Sequence, residues 1–264
     1  MLRVELHCHT EASKDGLITP DGLLKAAELQ RLDAIAITDH DTMDGAVEFQ
    51  RWFRAKNAPT EILLGEERTL ANGCHVIGLF LSQPLQGMTL PEVAREVRHQ
   101  NGLLLAPHPF RAKDGLLSGK EDAALVTAVV AGWEIHNAKS SHADNTTARD
   151  YALANGHAVF GGSDAHYEAD VGTCVNEIDG KGSAETAVRA MLRREIPFSI
   201  RARSQNNGTC ERRYAPGYYA VKRFLPLPPF FLPAAKQLYR RYWNLKHGTR
   251  RHTLEEWMRH PAAT

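Results

Sequence analysis

Through residues 1–200 the chain alternates short apolar segments with amphipathic ones. Leu2–His7, Ala34–Thr38, Glu61–Gly65, His75–Leu81, Leu103–Ala106, Trp133–Ile135, Ala158–Phe160 and Phe198–Ile200 read as strands. Helical spacing fills the intervals. One helix opens at Thr19-Pro20, with Thr19 as N-cap and Pro20 in the first turn, and carries Leu23, Leu24, Ala27 and Leu32. Others are predicted over Ala46–Lys56, Thr89–Gln100, His142–Ala154 and Ala184–Arg194. A β-then-α rhythm predicts a parallel sheet with crossover helices, and about seven such units close a TIM-like barrel. A doubly wound sheet is the alternative. No G-x-G-x-x-G follows the first strand and no P-loop occurs, so nucleotide binding through those loops is unsupported.

Composition narrows the class. A chain of 264 residues, 43% hydrophobic and 24% charged, can bury a sizeable core and is neither collagenous nor disordered. No apolar run approaches the roughly 20 residues of a membrane-spanning helix. The start, MLRVELHCHT, lacks the apolar stretch of a signal peptide, which places the protein in the cytoplasm by expectation. Cys8, Cys74, Cys174 and Cys210 are widely spaced, with no C-x-x-C pair and no disulfide framework. Charge is unevenly placed. Residues 1–200 hold 19 Lys and Arg against 28 Asp and Glu, and residues 201–264 hold 13 against 3. The character of the chain changes after Arg203, where PGYYAVKRFLPLPPFFLP and KQLYRRYWNLKHGTRR follow. Two regions are therefore expected, a barrel over 1–203 and a basic, aromatic-rich C-terminal extension over 204–264. The extension could pack on the barrel, lie on an anionic membrane surface, or guide a nucleic-acid strand.

The 13 histidines are many for this length, and their positions follow the strands. His7 and His9 share one side of the end of the first strand, with Cys8 on the other. Asp164 and His166 repeat that spacing after the last well-marked barrel strand. His40 follows the second strand in T-D-H-D, and Glu66 the third in L-G-E-E. His75 begins the fourth, His108 follows the fifth in A-P-H-P, and Asp15 lies in the first loop. In an α/β barrel the C-terminal strand ends converge on one face. His7, His9, Asp15, His40, Glu66, His75, His108, Asp164 and His166 are then candidate ligands around one pocket. Nitrogen and oxygen donors without sulfur suit Mn, Zn or Fe, and nine ligands predict two or three divalent metal ions with a bridging carboxylate.

The conjunction of H-x-H, T-D-H, G-E-E, A-P-H-P and G-G-S-D-A-H resembles the PHP (polymerase and histidinol phosphatase) family of metal-dependent phosphoesterases over about residues 1–203. The resemblance implies a distorted (β/α)7 barrel with a two- or three-metal site. It assigns His7, His9, Glu66 and Asp164 to a first ion. Glu66 bridges to a second held by His75 and His108, and Asp15, His40 and His166 hold a third. One departure concerns the cleft. Many phosphoesterases with a similar opening carry a helical insertion before the strand leading to A-H-P, and here only Ser82–Gly102 fills that place.

The implied chemistry is hydrolysis of a phosphate ester by a metal-activated hydroxide, with Glu66 ionised and Asp39 and Glu67 candidates for orienting ligands. Arg111, in H-P-F-R, is the candidate grip on phosphate, and Asn137 and Lys139 are further candidates for substrate contact. Glu134 and His136 alternate on one strand and either could face inward. The expected substrate is a small phosphorylated metabolite or nucleotide. The alternatives are a nuclease releasing nucleotides from oligonucleotide ends, with nucleic acid recruited by the basic tail, and a non-catalytic PHP module stabilised by metals. Carbon–nitrogen hydrolysis of the amidohydrolase type is disfavoured by a glutamate, rather than a modified lysine, at the bridging position.

Overall fold

The computed structural model describes residues 1–202. The basic extension, with the three roles considered for it, lies outside the described residues. The chain runs β1 (Leu2–Cys8), α1 (Pro20–Gln30), β2 (Ala34–Ile37), α2 (Asp44–Ala55), β3 (Glu61–Thr69), β4 (His75–Leu79), α3 (Leu90–His99), β5 (Leu103–Ala106), α4 (Ala123–Val129), β6 (Gly132–Asn137), α5 (His142–Ala154), β7 (Val159–Gly162), β8 (Cys174–Ile178), α6 (Ala184–Leu192) and β9 (Phe198–Ala202). The caps anticipated for α1 are present: Thr19 Oγ1 accepts from the Gly22 amide at 3.2 Å, and Pro20 occupies the first turn.

The strands form one sheet in the order β7-β6-β5-β4-β3-β2-β1-β8-β9. It curls into a nearly closed barrel. β1 and β7 meet at their C-terminal ends, where His9 N donates to Ala165 O (2.8 Å) and Ala165 N to His7 O (3.2 Å). At the other end β8 stands between them, and the Asn176 amide donates to Val4 O and Gly161 O.

Alternation along the strands separates two apolar layers. Ala34 and Ala36 of β2, Leu63 of β3, and Ile77 and Leu79 of β4 join Val4, Leu6, Leu105 and Phe160 in one cluster with Ala187, Val188 and Met191 of α6. This cluster fills the concave side. Ile35 and Ile37 turn the other way, onto Leu23 and Ala27 of α1 and Phe49 and Phe53 of α2. Val76 and Leu104 turn likewise onto α3, through Val93 and Val97.

The uniformly parallel rhythm expected from the sequence does not hold. β4 is antiparallel to both β3 and β5, and β8 is antiparallel to β1 and β9. The reason is connection length. Only Leu70–Cys74 joins β3 to β4, far too short for a crossover helix, so the pair is a hairpin. This reversal carries functional weight, because it brings the start of β4 to the same barrel mouth as the ends of its parallel neighbours. α4 and β8 are elements that apolar periodicity did not reveal. Asp122 caps α4 by accepting from Leu125 N at 2.8 Å.

Candidate metal centre

The mouth is built strand by strand. In β1, Val4 and Leu6 pack into the concave core while Cys8 packs with Ile35 and Ile37 on the outside. Strict alternation forbids that combination. The register against β2 slips between Glu5 and Cys8, which is a bulge, and the slip turns His7 and His9 inward. Glu5 holds it in place. Its buried carboxylate accepts from the amides of Leu6 (3.0 Å), His7 (3.1 Å) and Ser163 (3.0 Å) and from Ser163 Oγ. Burial raises the Glu5 pKa to about 7, against the pull of those donors.

β3 runs four residues past the point the sequence suggested and ends at Thr69. Leu63 lies on the concave face, so Gly65 and Glu67 do also, and Glu66 points out. The pairing agrees: Glu67 stands opposite Ile77, and Thr69 opposite His75. The sequence assignment of Glu66 to the bridging position is therefore corrected. Glu66 Oε2 accepts from the Leu85 amide (3.0 Å) under the Ser82–Thr89 loop, away from the histidines. Glu67, expected only to orient ligands, occupies the centre.

Five imidazoles converge on Glu67. Its Oε1 lies 3.1 Å from His75 Nδ1 and 3.1 Å from His108 Nε2. Its Oε2 lies 3.4 Å from His7 Nε2, 3.3 Å from His9 Nε2 and 3.3 Å from His40 Nδ1. Asp164 closes the first group, with Oδ1 3.5 Å from His7 Nε2 and 3.3 Å from His9 Nε2. Asp15 Oδ2 is 3.5 Å from Nε2 of both His40 and His166. The expected ligands His7, His9, Asp15, His40, His75, His108, Asp164 and His166 thus meet at one mouth. Two of the backbones are unusual: His108 (φ 29°) and Asp164 (φ 49°) occupy a positive-φ region that non-glycine residues rarely adopt.

The donor atoms themselves test whether metal ions fit. His7 Nε2, both ring nitrogens of His9, His40 Nδ1 and Glu67 Oε2 are buried and make no hydrogen bond among the described residues. Orphaned buried polar atoms are costly, and here Nε2 of His7, Nε2 of His9 and Nδ1 of His40 crowd around Glu67 Oε2. Divalent cations satisfy them. Triads and a tetrad whose donors lie within 4.8 Å include His7–His9–Glu67, His40–Glu67–His75 and His9–Asp15–His40–His166.

The protons respond to the same crowding. Burial opposes ionisation of Glu67, but His40, His75 and His7 hold its carboxyl well below the usual range. Burial also opposes protonation of His9, yet Asp164 and Glu67 outweigh it and raise the pKa to about 10. Burial pushes His40 down to about 3, with His9 and His75 adding repulsion.

Other candidates fall around this core. Asp39 is buried and accepts from Thr10 N and Thr10 Oγ1, both at 2.6 Å, so it shapes the loop carrying Asp15. Arg111 donates through Nε to Asp114 (2.6 Å) and through Nη1 to Asp164 (3.0 Å), and its side chain is 21% exposed. Asn137 is fully buried and its amide donates to Glu134 (2.9 Å) and to the expected ligand Asp164 (3.2 Å). Lys139 Nζ is 2.7 Å from Asp170 Oδ2. Asp114, which lies 3.4 Å from His108 Nδ1, was not anticipated. Glu134 proves to be the inward residue of its strand, with Oε1 3.0 Å from His7 Nδ1.

Comparison with known proteins bears on the fold and the family. An uncharacterized protein of Methanocaldococcus jannaschii is 32% identical over 120 residues, spanning 41% of this chain and 68% of that protein. A 5'-3' exoribonuclease of Haemophilus influenzae is 33% identical over 90 residues, 33% of this chain and 32% of the relative. Among solved structures, a two-domain protein from Bacteroides vulgatus containing a predicted PHP-like metal-dependent phosphoesterase superposes with a TM-score of 0.61 at 20% identity, over 76% of this chain and 65% of that one. No helix among the described residues is long and apolar enough to cross a membrane. The PHP domain model matches residues 5–147 and a PHP-associated model residues 142–195, and with more than half its length matched this chain belongs to the PHP domain family.

Proposed function

We propose that the chain is a phosphomonoesterase acting on small phosphorylated metabolites or nucleotides, with two or three divalent ions at the barrel mouth. The observation that supports this most is the convergence of five imidazoles on Glu67, with nitrogens of His7, His9 and His40 and Glu67 Oε2 buried and without a hydrogen bond among the described residues. His7, His9, Glu67 and Asp164 would hold one ion, Glu67, His75 and His108 a second, and Asp15, His40 and His166 a third. Such ions, when bound, act as Lewis acids on a phosphoryl oxygen and lower the pKa of a water towards about 7.

The chain's own groups prepare that chemistry. Glu67 stays ionised across the physiological range because the surrounding imidazoles hold its proton affinity down. Asp164 is kept ionised chiefly by His7, His9 and Arg111, against burial. Arg111 spends Nε and Nη1 on Asp114 and Asp164, which fixes the plane of its guanidinium and leaves Nη2 for a substrate oxygen. We also read residues 1–203 as the catalytic barrel and 204–264 as a separate basic extension.

The exoribonuclease relative favours a second reading, in which the same site releases nucleotides from an oligonucleotide end. Manganese-loaded protein assayed on nucleoside monophosphates, sugar phosphates and end-labelled oligonucleotides separates the two. Phosphate release from the small esters supports the monoesterase. Activity confined to oligonucleotides, and lost on removing residues 204–264, overturns it.

A further inference from the structure

We propose that Glu134, buried on β6 and not itself among the expected ligands, is the positioning residue that sets the geometry of both central ion positions at once. The inference rests on the metal-centre reading above and adds a residue that the reading does not require.

Glu134 has no exposed surface. A buried carboxylate accepts hydrogen bonds and cannot donate them when ionised. Its Oε1 faces His7 Nδ1 at 3.0 Å, so His7 must carry its proton there. That leaves Nε2, which faces Glu67 and Asp164, as the His7 atom that would offer a lone pair to an ion. The other oxygen, Oε2, accepts from the backbone amide of His108 at 2.7 Å and from Asn137 Nδ2 at 2.9 Å. The first of these bonds holds His108 in its positive-φ conformation, with Nε2 turned to Glu67 Oε1. The second passes on through Asn137 Nδ2 to Asp164 Oδ2 at 3.2 Å. One carboxylate thus orients groups from β1, from the end of β5 and from the end of β7.

The fold makes room for it. Pairing of β6 with β7 slips between Glu134 and His136. On β7, Gly162 pairs with Asn137 and lies against the carboxylate: an added Cβ there would overlap Glu134 Oε1 and come within 2.6 Å of the His7 Cβ. Any larger residue at 162 would displace the carboxylate from His7.

Glu134→Gln keeps the shape and changes one acceptor oxygen to a donor amide. Whichever way the amide turns, its NH2 meets a donor: either His7 Nδ1–H, or His108 N–H and Asn137 Nδ2–H. The test uses full-length, zinc-loaded protein with 15N-labelled histidine. In wild type, His7 is expected to show a proton-bearing Nδ1, slowly exchanging and hydrogen-bonded. In Glu134→Gln that resonance is expected to shift and exchange rapidly, while chelator competition shows zinc held 10- to 100-fold more weakly, the range for partners that orient metal ligands. Gly162→Ala, measured alongside, should move the same resonance with Glu134 intact. A folded Glu134→Gln protein with an unchanged His7 resonance and unchanged zinc retention overturns the proposal. Wild-type protein that retains no zinc overturns the metal-centre reading itself, which is a different result.

Discussion

Glu66 and Glu67 are neighbours in the chain and point through opposite faces of β3. Glu67 meets five imidazoles at the barrel mouth, and Glu66 accepts a backbone amide outside it. Substituting each by Gln therefore gives unequal results. Glu67→Gln is expected to lower metal retention and phosphate release by at least about a hundredfold, beyond what partners that only orient ligands contribute. Glu66→Gln keeps an acceptor for Leu85 and is expected to stay within about tenfold of wild type. Metal content and phosphate release measured on both proteins decide the matter, and equal losses contradict the assignment.

The pair also shows what could be read in advance. The histidines and aspartates were legible because each follows or begins an apolar segment, and barrel geometry gathers such positions. The central carboxylate is not, because the apolar run ends at Gly65 and L-G-E-E reads as leaving the sheet there. β3 continues to Thr69, and the side-chain period of two then selects Glu67. The nine residues between Gly65 and His75 are the available signal, too few for a crossover helix and so consistent with two strands that run on into a hairpin. The bulge in β1 left no signal at all. Glu5 creates it through hydrogen bonds to Leu6, His7 and Ser163, and Ser163 is 158 residues away in sequence. Arg111 was found at the site as expected, but as a member of an ion-pair chain whose carboxylates lie elsewhere in the sequence.

Glu5→Ala removes the acceptor for those three buried amides. Each unsatisfied buried donor costs about 1–3 kcal/mol. Metal-free Glu5→Ala protein is expected to unfold at a clearly lower temperature than metal-free wild type, and to bind zinc more weakly because His7 and His9 lose their inward turn. Thermal unfolding in chelator, followed by zinc titration, measures both. An unshifted midpoint contradicts the role given to Glu5.

Gly45, in the first turn of α2, lies against Asp39 and Thr10. A Cβ there would collide with Asp39 Oδ2 and Thr10 Oγ1 and approach the Ala12 Cβ at 2.9 Å. Gly45→Ala should therefore disturb the loop that presents Asp15. Destabilisation of about 1–3 kcal/mol is expected, as for overpacking elsewhere. An ion at the proposed Asp15–His40–His166 position should be lost before any at the positions proposed around Glu67. Metal counting by elemental analysis after limited chelation reads this directly, and a variant that keeps its full complement contradicts it.

Metal uptake should release protons. His9 has its pKa raised to about 10 in the metal-free protein, so at pH 7 it carries a proton that an incoming ion must displace. Affinity should therefore rise with pH between about 6 and 9. The sign for the metal-free fold is opposite. Contacts of protonated His9 stabilise it fully below the ordinary value of 6.5 and are lost as pH climbs through about 10. Zinc calorimetry in two buffers of different ionisation enthalpy gives the proton count, and heats that do not depend on the buffer contradict this prediction.

Where ions bind is the most direct test of the role proposed for Glu67. Crystals grown with manganese, and phased to show anomalous scattering, would locate them without any assumption about substrate. The expected map has at least two peaks at the barrel mouth, both within coordination distance of Glu67, with His7, His9 and Asp164 on one and His75 and His108 on the other. A mouth without peaks in fully loaded crystals, or ions held by Glu66 in place of Glu67, contradicts it.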